Sequence, residues 1–577
     1  MPRNDQALQI EQGHGDGSLS VDAAASLGRV LSVGGSQVAV QLSTELSSTC
    51  ANEAGVTVGR FLAIRTECAL VIGVLSEISL DETSADSLAT TGRVDLLGEI
   101  VSDAAGSERF QRGVTVHPTI GSAVYRVSTS LLRLIFDAAG PGTIDVGHVQ
   151  QDDSIGAYLN VDNMVGKHFA VLGSTGAGKS SAVALILREI MAARLDLRIL
   201  LLDPHNEYAN CFETEAHVAK PSNLRLPFWL FNFDEIVEVI FGRRPDVDDE
   251  VALLSELIPI AKNVYVRSTS GDRTNYRVSK PEGPGYTVDS PVPYRLEDLI
   301  ELIEGRMGKL ENHALAIRYQ RLLTRITTAR NNPRYSFIFE DVNTGGDGMV
   351  DVLCELLCLP TDGPSMTIMQ LAGFPAEVFD AVMSVLFRMA LEFGIWSNGA
   401  VPLLIVCEEA HHYANADRSL GFRPAREAVS RIAKEGRKHG VFLGLVTQRP
   451  AELDATLISQ CGTVIAMRMG NEDDQRIVRA AVSDPTDRLL GFLSSLGTRE
   501  ALAFGEGVPM AMRLRFKELP ECFIPQSQAV SAEYVNPATK IDKNFVASVV
   551  ASWRGVAVSN IPRRDAVKMP TAVHGRR

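Results

Sequence analysis

His168 to Ala193 reads HFAVLGSTGAGKSSAVALILREIMAA, and this stretch decides how the rest of the chain is read. Phe169 to Leu172 are apolar without a break and run straight into Gly173. A run with no polar face suits a strand buried on both sides. Gly173-Ser174-Thr175-Gly176-Ala177-Gly178-Lys179-Ser180 then matches G-x-x-x-x-G-K-[ST] in full. The residues after it contain neither Gly nor Pro and read as helix. A chance Gly-rich turn would lack this order of strand, loop and helix.

The chemistry follows from the residue types. Glycines let the backbone curl so that successive N–H groups face inward onto phosphate oxygens, and the next helix offers its positive end. Lys179 is placed to reach the terminal phosphates, and Ser180 to ligate Mg²⁺. Gly173 through Ser180, with Ser181, are therefore the candidate ATP-binding residues, with ATP and Mg²⁺ as cofactors.

Further runs of the same kind lie downstream: LRILLLD, SMTIMQLAG, PLLIVCEE, VFLGLVTQ and GTVIAMRM, alternating with helical stretches. That pattern predicts an α/β fold around a parallel sheet, here a RecA-like ATPase core. PLLIVCEE ends in adjacent carboxylates. Glu408 is the candidate Mg²⁺ ligand and Glu409 the group that polarises the attacking water; the alternative is an ordinary acidic strand end. VFLGLVTQ delivers Thr447 and Gln448 at a strand's carboxyl end, where open α/β sheets place ligands. Gln448 there senses phosphate or orients water, or else forms a polar turn before Pro450.

Two more segments stay open. Ser430 to Gly440 is basic and helical. Arg431 or Arg437 can reach a neighbouring subunit's phosphate in a ring, or simply form a solvated face. Asp203 to Tyr208, DPHNEY, follows a buried strand and reads equally as site residues or as a hydrogen-bonded corner.

Composition sets the bounds. The chain has 577 residues, 45% hydrophobic and 22% charged, which points to several globular units. The net charge of −14 argues against a protein that coats DNA, but not against one with a basic channel. Eight cysteines are scattered without C-x-x-C pairing; Cys354 and Cys358 are expected to share a helix face as small core residues. No signal-like start and no run of ~18 apolar residues is present, so no membrane span and a cytoplasmic location are expected.

Residues 1–25 are a flexible start. Residues 26–140 form a small β-barrel from GRVLSVGGSQVAVQL, GRFLAIRTECALVIGVLSEI, VDLLGEIVS and GVTVHPTI. Residues 141–232 and 364–500 make the core, with 233–363 a helical insertion. Residues 501–560 form a hairpin and bracing segment, and 561–577 a flexible basic tail.

GSTGAGKS, LDPHNEY, CEEAHHY, AKEGRKHG and TQRP, in this order, resemble the motif set of the HerA branch of the HerA/FtsK ATPases. The N-terminal region is similar to the HAS-barrel that precedes the motor in that family. The resemblance spans Gly28 to Pro520. It implies a homohexameric ring that translocates or unwinds double-stranded DNA. Lys179, Ser180 and Glu409 would come from one subunit, and an arginine, Arg431 or Arg437, from the next. It also implies a separate effector, a nuclease or a SIR2-like protein, docked on the barrel, in DNA end processing or anti-phage defence. The alternative is an ATP-binding scaffold that regulates such an effector. Two features depart from the pattern. Glu408 stands where many such motors carry Asp. Lys167 or His168 occupies the place where a basic nucleotide contact is expected.

Overall fold

The computed structural model describes residues 26–43, 56–81, 89–103, 107–137, 139–242, 247–269, 285–308, 313–339, 348–417, 421–481 and 485–525, with positions 543, 546, 547 and 550. The two segments expected to be flexible, 1–25 and 561–577, lie outside these residues.

Short alternating runs build the first part. β1 (Gly28–Val33), β2 (Gln37–Leu42), β3 (Phe61–Arg65), β4 (Ala69–Asp81), β5 (Ala89–Ser102), β6 (Glu108–Arg112) and β7 (Ala123–Arg126) pair antiparallel throughout. Their order is β2-β1-β7-β3-β4-β5-β6, and β2 also pairs with β5. Six strands thus close into a barrel and β6 hangs outside it. One edge of β5 makes this possible, serving β2 over Thr90–Asp95 and β6 over Gly98–Ser102. Along β2 burial alternates, and Val38, Val40 and Leu42 join Val30, Leu62, Ile64, Val71, Leu75, Val94 and Val124 in the barrel core. One run expected as strand is not one. GVTVHPTI forms a loop between β6 and β7, with Val116 and Ile120 exposed. Pro118 has no N–H for a ladder.

Eleven strands follow: β8 (Thr143–Val149), β9 (Asp152–Asn160), β10 (Phe169–Leu172), β11 (Arg198–Asp203), β12 (Ala216–Ala219), β13 (Met366–Gln370), β14 (Leu403–Cys407), β15 (Val441–Thr447), β16 (Thr463–Met467), β17 (Glu500–Gly505) and β18 (Met512–Phe516). All six apolar runs read from the sequence are among them. The described residues divide into two units, one drawn from Met1–Leu201, Ala390–Gly421 and Val429–Pro525, the other mainly from Leu202–Met389 and Phe422–Ala428.

In the first unit the strand order is β11-β14-β15-β10-β16-β17-β18-β8-β9. β14, β15, β10 and β16 are mutually parallel and almost wholly buried. The hairpin β17–β18 is no free arm. It extends the core sheet antiparallel, with β17 on β16 and β18 on β8. The core therefore runs through Phe516, past the boundary expected at residue 500.

In the second unit β12 and β13 pair in parallel, and helices dominate between Phe233 and Leu356. Asn232 caps the helix Phe233–Phe241 in a capping box with Glu235. Glu235 is fully buried and also accepts from Ser384 Oγ (2.8 Å) and Arg388 Nη2 (2.8 Å). Cys354 lies on the helix Met349–Leu356, but Cys358 falls beyond its end with φ +49° and meets Thr367 Oγ1 at 3.0 Å, so the two do not share a helix face.

His168 is a structural clasp at the start of β10. Its Nδ1 accepts from Leu443 N–H (2.9 Å) and its Nε2 faces Ala433 O (3.1 Å), which fixes the neutral tautomer with the proton on Nε2. Burial pushes its pKa below the ordinary histidine value, and the nearby Arg437 charge adds to this. The phosphate loop leaves the far end of the same strand. His168 is therefore not a nucleotide contact, and Lys167 pairs with Glu506 instead.

Two outcomes follow. Glu235→Ala should cost about 3 kcal/mol of stability by removing a cap and a buried ion-pair partner, measured by denaturant unfolding. A depressed folded-state pKa means that the unfolded chain takes up the His168 proton first as pH falls. Stability is then full above about pH 6.5 and falls by about 1 kcal/mol per pH unit below it. Equal denaturation midpoints at pH 7.5 and 5.5 would contradict the neutral clasp.

Candidate active site

The carboxyl ends of β10, β15 and β14 lie side by side. Leu172 is in register with Thr447, and Cys407 with Leu445. Each strand therefore hands its next residues to the same place.

β10 hands over the loop Gly173–Gly178. Gly176 and Gly178 have φ of +76° and +95°, which L side chains rarely adopt. A Cβ on Gly176 would meet nothing within 4 Å, so its backbone conformation, not crowding, demands glycine. Gly173 is different, since a Cβ there would stand 2.8 Å from Met467 Cβ. Ser174 anchors the loop by donating twice to Arg468 O, from N (2.9 Å) and Oγ (2.8 Å). Ser180 and Ser181 lie on the first turn of the helix Lys179–Ala193 and are half-buried. A curled glycine loop with open space beside it and a lysine at the helix start fits a polyphosphate.

β14 hands over the carboxylates. Lys179 Nζ donates to Glu408 Oε1 (2.8 Å) and Glu409 Oε1 (3.3 Å), with all three side chains buried. Burial alone would push the Lys179 pKa down, but Glu408 and Glu409 outweigh it and hold the ammonium above its ordinary value. Glu409 sits in the left-handed region at φ +51°, a strain that functional sites tend to hold.

β15 hands over Thr447 and Gln448. Gln448 N–H donates to Glu409 Oε2 (3.4 Å), and Gln448 Oε1 accepts from Thr175 Oγ1. His411 Nδ1 lies 3.0 Å from Thr447 Oγ1 and 3.4 Å from Glu409 Oε2. Burial lowers the His411 pKa, and the neighbouring His412 lowers it further. His411 carries no role that its sequence position announces. Only the sheet register brings it to Thr447, so spacing carried no signal for this brace.

Other expected residues lie elsewhere. Arg431 is half exposed and pairs with Glu392 (3.5 Å) and Glu435 (3.3 Å). Arg437 is exposed and lies before the amino end of β15, where His168 feels its charge. Seven residues of β15 separate that end from the site, about 20 Å at ~3.3 Å per residue. Arg437 is thus remote from its own phosphate loop. β11 is separated from β10 by β14 and β15, and the Asp203 carboxylate at its end accepts from Glu207 N–H (3.2 Å) and Tyr208 N–H (3.0 Å). That segment does form a hydrogen-bonded corner. Among the described residues no group of three or more His, Cys, Asp or Glu is suited to hold a metal. A divalent ion at Ser180 and Glu408 would thus take most of its ligands from phosphate and water.

Comparison with known proteins agrees with this geometry. Residues 144–390 match the family model described as helicase HerA, central domain. A probable helicase of Methanocaldococcus jannaschii is 27% identical over 476 residues, covering 78% of this chain and 84% of the relative. The DNA double-strand break repair helicase HerA of Pyrococcus furiosus is 28% identical over 494 residues, covering 77% and 82%. Among solved structures, VirB4 of Thermoanaerobacter pseudethanolicus overlaps 65% of this chain and 96% of its own at TM-score 0.44 and 15% identity, a likeness too slight to argue from. The chain is thus similar to the HerA helicases over most of its length, and residues 144–390 match their central domain.

Proposed function

We propose that this protein is an ATP-driven translocase or helicase acting on double-stranded DNA. The observation that carries the reading is the convergence of Lys179, Glu408, Glu409, Thr447 and Gln448 on one glycine loop. Relatives over most of the chain are named DNA repair helicases. The loop N–H groups and Lys179 would hold the phosphates, and Ser180 and Glu408 a Mg²⁺ ion. That ion would supply charge neutralisation at the phosphates. Glu409, aimed by His411 and the Gln448 N–H, would take the proton of the attacking water.

The working assembly on this reading is a homohexameric ring in the cytoplasm. Arg437 lies at the end of β15 away from its own loop and Arg431 is paired with Glu392 and Glu435, so either one would act on a neighbour's nucleotide. Head-to-tail packing that closes gives such a ring. Contacts to DNA would be to phosphates and carry no base specificity, with basic groups gathered in the channel of a chain whose net charge is −14. A separate effector, a nuclease or SIR2-like protein, would dock on the barrel in DNA end processing or anti-phage defence. No helix of the described residues is long and apolar enough to cross a membrane.

The test is steady-state ATP hydrolysis with and without linear duplex DNA. DNA should stimulate turnover. Glu409→Gln should lower kcat about 100-fold or more, and Lys179→Ala should abolish turnover. Hydrolysis indifferent to DNA would favour the scaffold reading. His411→Ala should lower kcat about tenfold with little change in KM, because it loosens Glu409 rather than the phosphate loop. A rise in KM alone would contradict that role.

A further inference from the structure

One side of the phosphate loop is covered by a residue that belongs to none of the motifs. Arg499 stands just before β17 with φ +65°, the region glycine fills without cost and a long L side chain seldom enters. Its backbone is fully used. The N–H donates to Ala177 O (2.9 Å) and the C=O accepts from Phe516 N–H (2.9 Å), tying the loop to β18. Glycine would make both bonds equally well, so the side chain needs a separate reason.

The side chain lies on the loop. Its Cγ is 3.4 Å from where a Cβ on Gly178 would stand. Its guanidinium pairs with Glu518 at 2.8 Å, and that partner is 79% exposed while Arg499 is only 27% exposed. A pair with so exposed a carboxylate is held weakly. Meanwhile Lys179 already faces two buried carboxylates, and a polyphosphate would add negative charge beside them. A second cation at the loop would offset it, and guanidinium suits phosphate oxygens.

We propose that Arg499 is a nucleotide-binding residue whose guanidinium exchanges Glu518 for the phosphate chain of a nucleoside triphosphate on the loop. This rests on the ATP reading of the same site. The backbone strain is then tolerated for the sake of the ligand.

Arg499→Gly and Arg499→Asn both accept the left-handed backbone and remove the guanidinium. The full-length variants are compared for thermal midpoint without nucleotide and for binding of a fluorescent ATP analogue with Mg²⁺, read by anisotropy. The expected result is a midpoint unchanged or raised by about 2 °C, with Kd weakened about tenfold. Unchanged Kd would overturn the proposal. If both variants lose several degrees and bind poorly, Glu518→Gln decides. It frees the guanidinium, so tighter binding supports the proposal and unchanged binding overturns it. Wild-type protein that fails to bind the analogue would instead bring down the ATP reading itself.

Discussion

One buried ammonium shared between two carboxylates organises this molecule. Lys179, Glu408 and Glu409 are all withdrawn from solvent. Any one of these charges alone would be expensive to bury, and removing one partner would strand the others. Together they balance most of their charge and hold the glycine loop against the ends of β14 and β15. A lysine 229 positions from its carboxylate in sequence can make that contact only if the intervening strands are stacked in the right order. The sheet is therefore the means by which the site exists.

The same triad sets what the site can do. Net negative and closed around a lysine, it would, on the proposed reading, exchange partners when anionic phosphate and a divalent ion arrive together. Glu409 keeps a second set of contacts, to the Gln448 N–H and His411, that do not involve Lys179. Its carboxylate is thus aimed by β15 whether or not the lysine holds it. Left-handed backbone at both Glu409 and Arg499 concentrates strain around the loop, as in sites where geometry takes precedence over relaxation.

Much of this was legible in the sequence because the decisive elements announce themselves locally. Phe169 to Leu172, Leu403 to Cys407 and Val441 to Val446 carry no polar side chain but a cysteine, and a doubly covered sheet accommodates such runs. The glycines at 176 and 178 carry their reason in their φ angles. What stayed hidden depends on long-range register or on weak local pattern. ERFQR has one apolar residue in five and still forms β6, while GVTVHPTI looks like a strand and is a loop. The β17–β18 pair reads as a detached hairpin until β16 and β8 are found on either side of it. His168 looked like a basic contact for a ligand, yet its ring is spent on Leu443 and Ala433. Arg499 left no trace, because nothing in its neighbours' spelling tells of a left-handed residue against Gly178.

The most direct measurement is an experimental structure of the protein with Mg²⁺ and a non-hydrolysable ATP analogue. Lys179 Nζ is expected on the phosphates, with Glu409 released from the lysine and its carboxylate still held by His411 and the Gln448 N–H. Nucleotide bound elsewhere, or bound at the loop with Lys179 still clasped by both carboxylates, would contradict it.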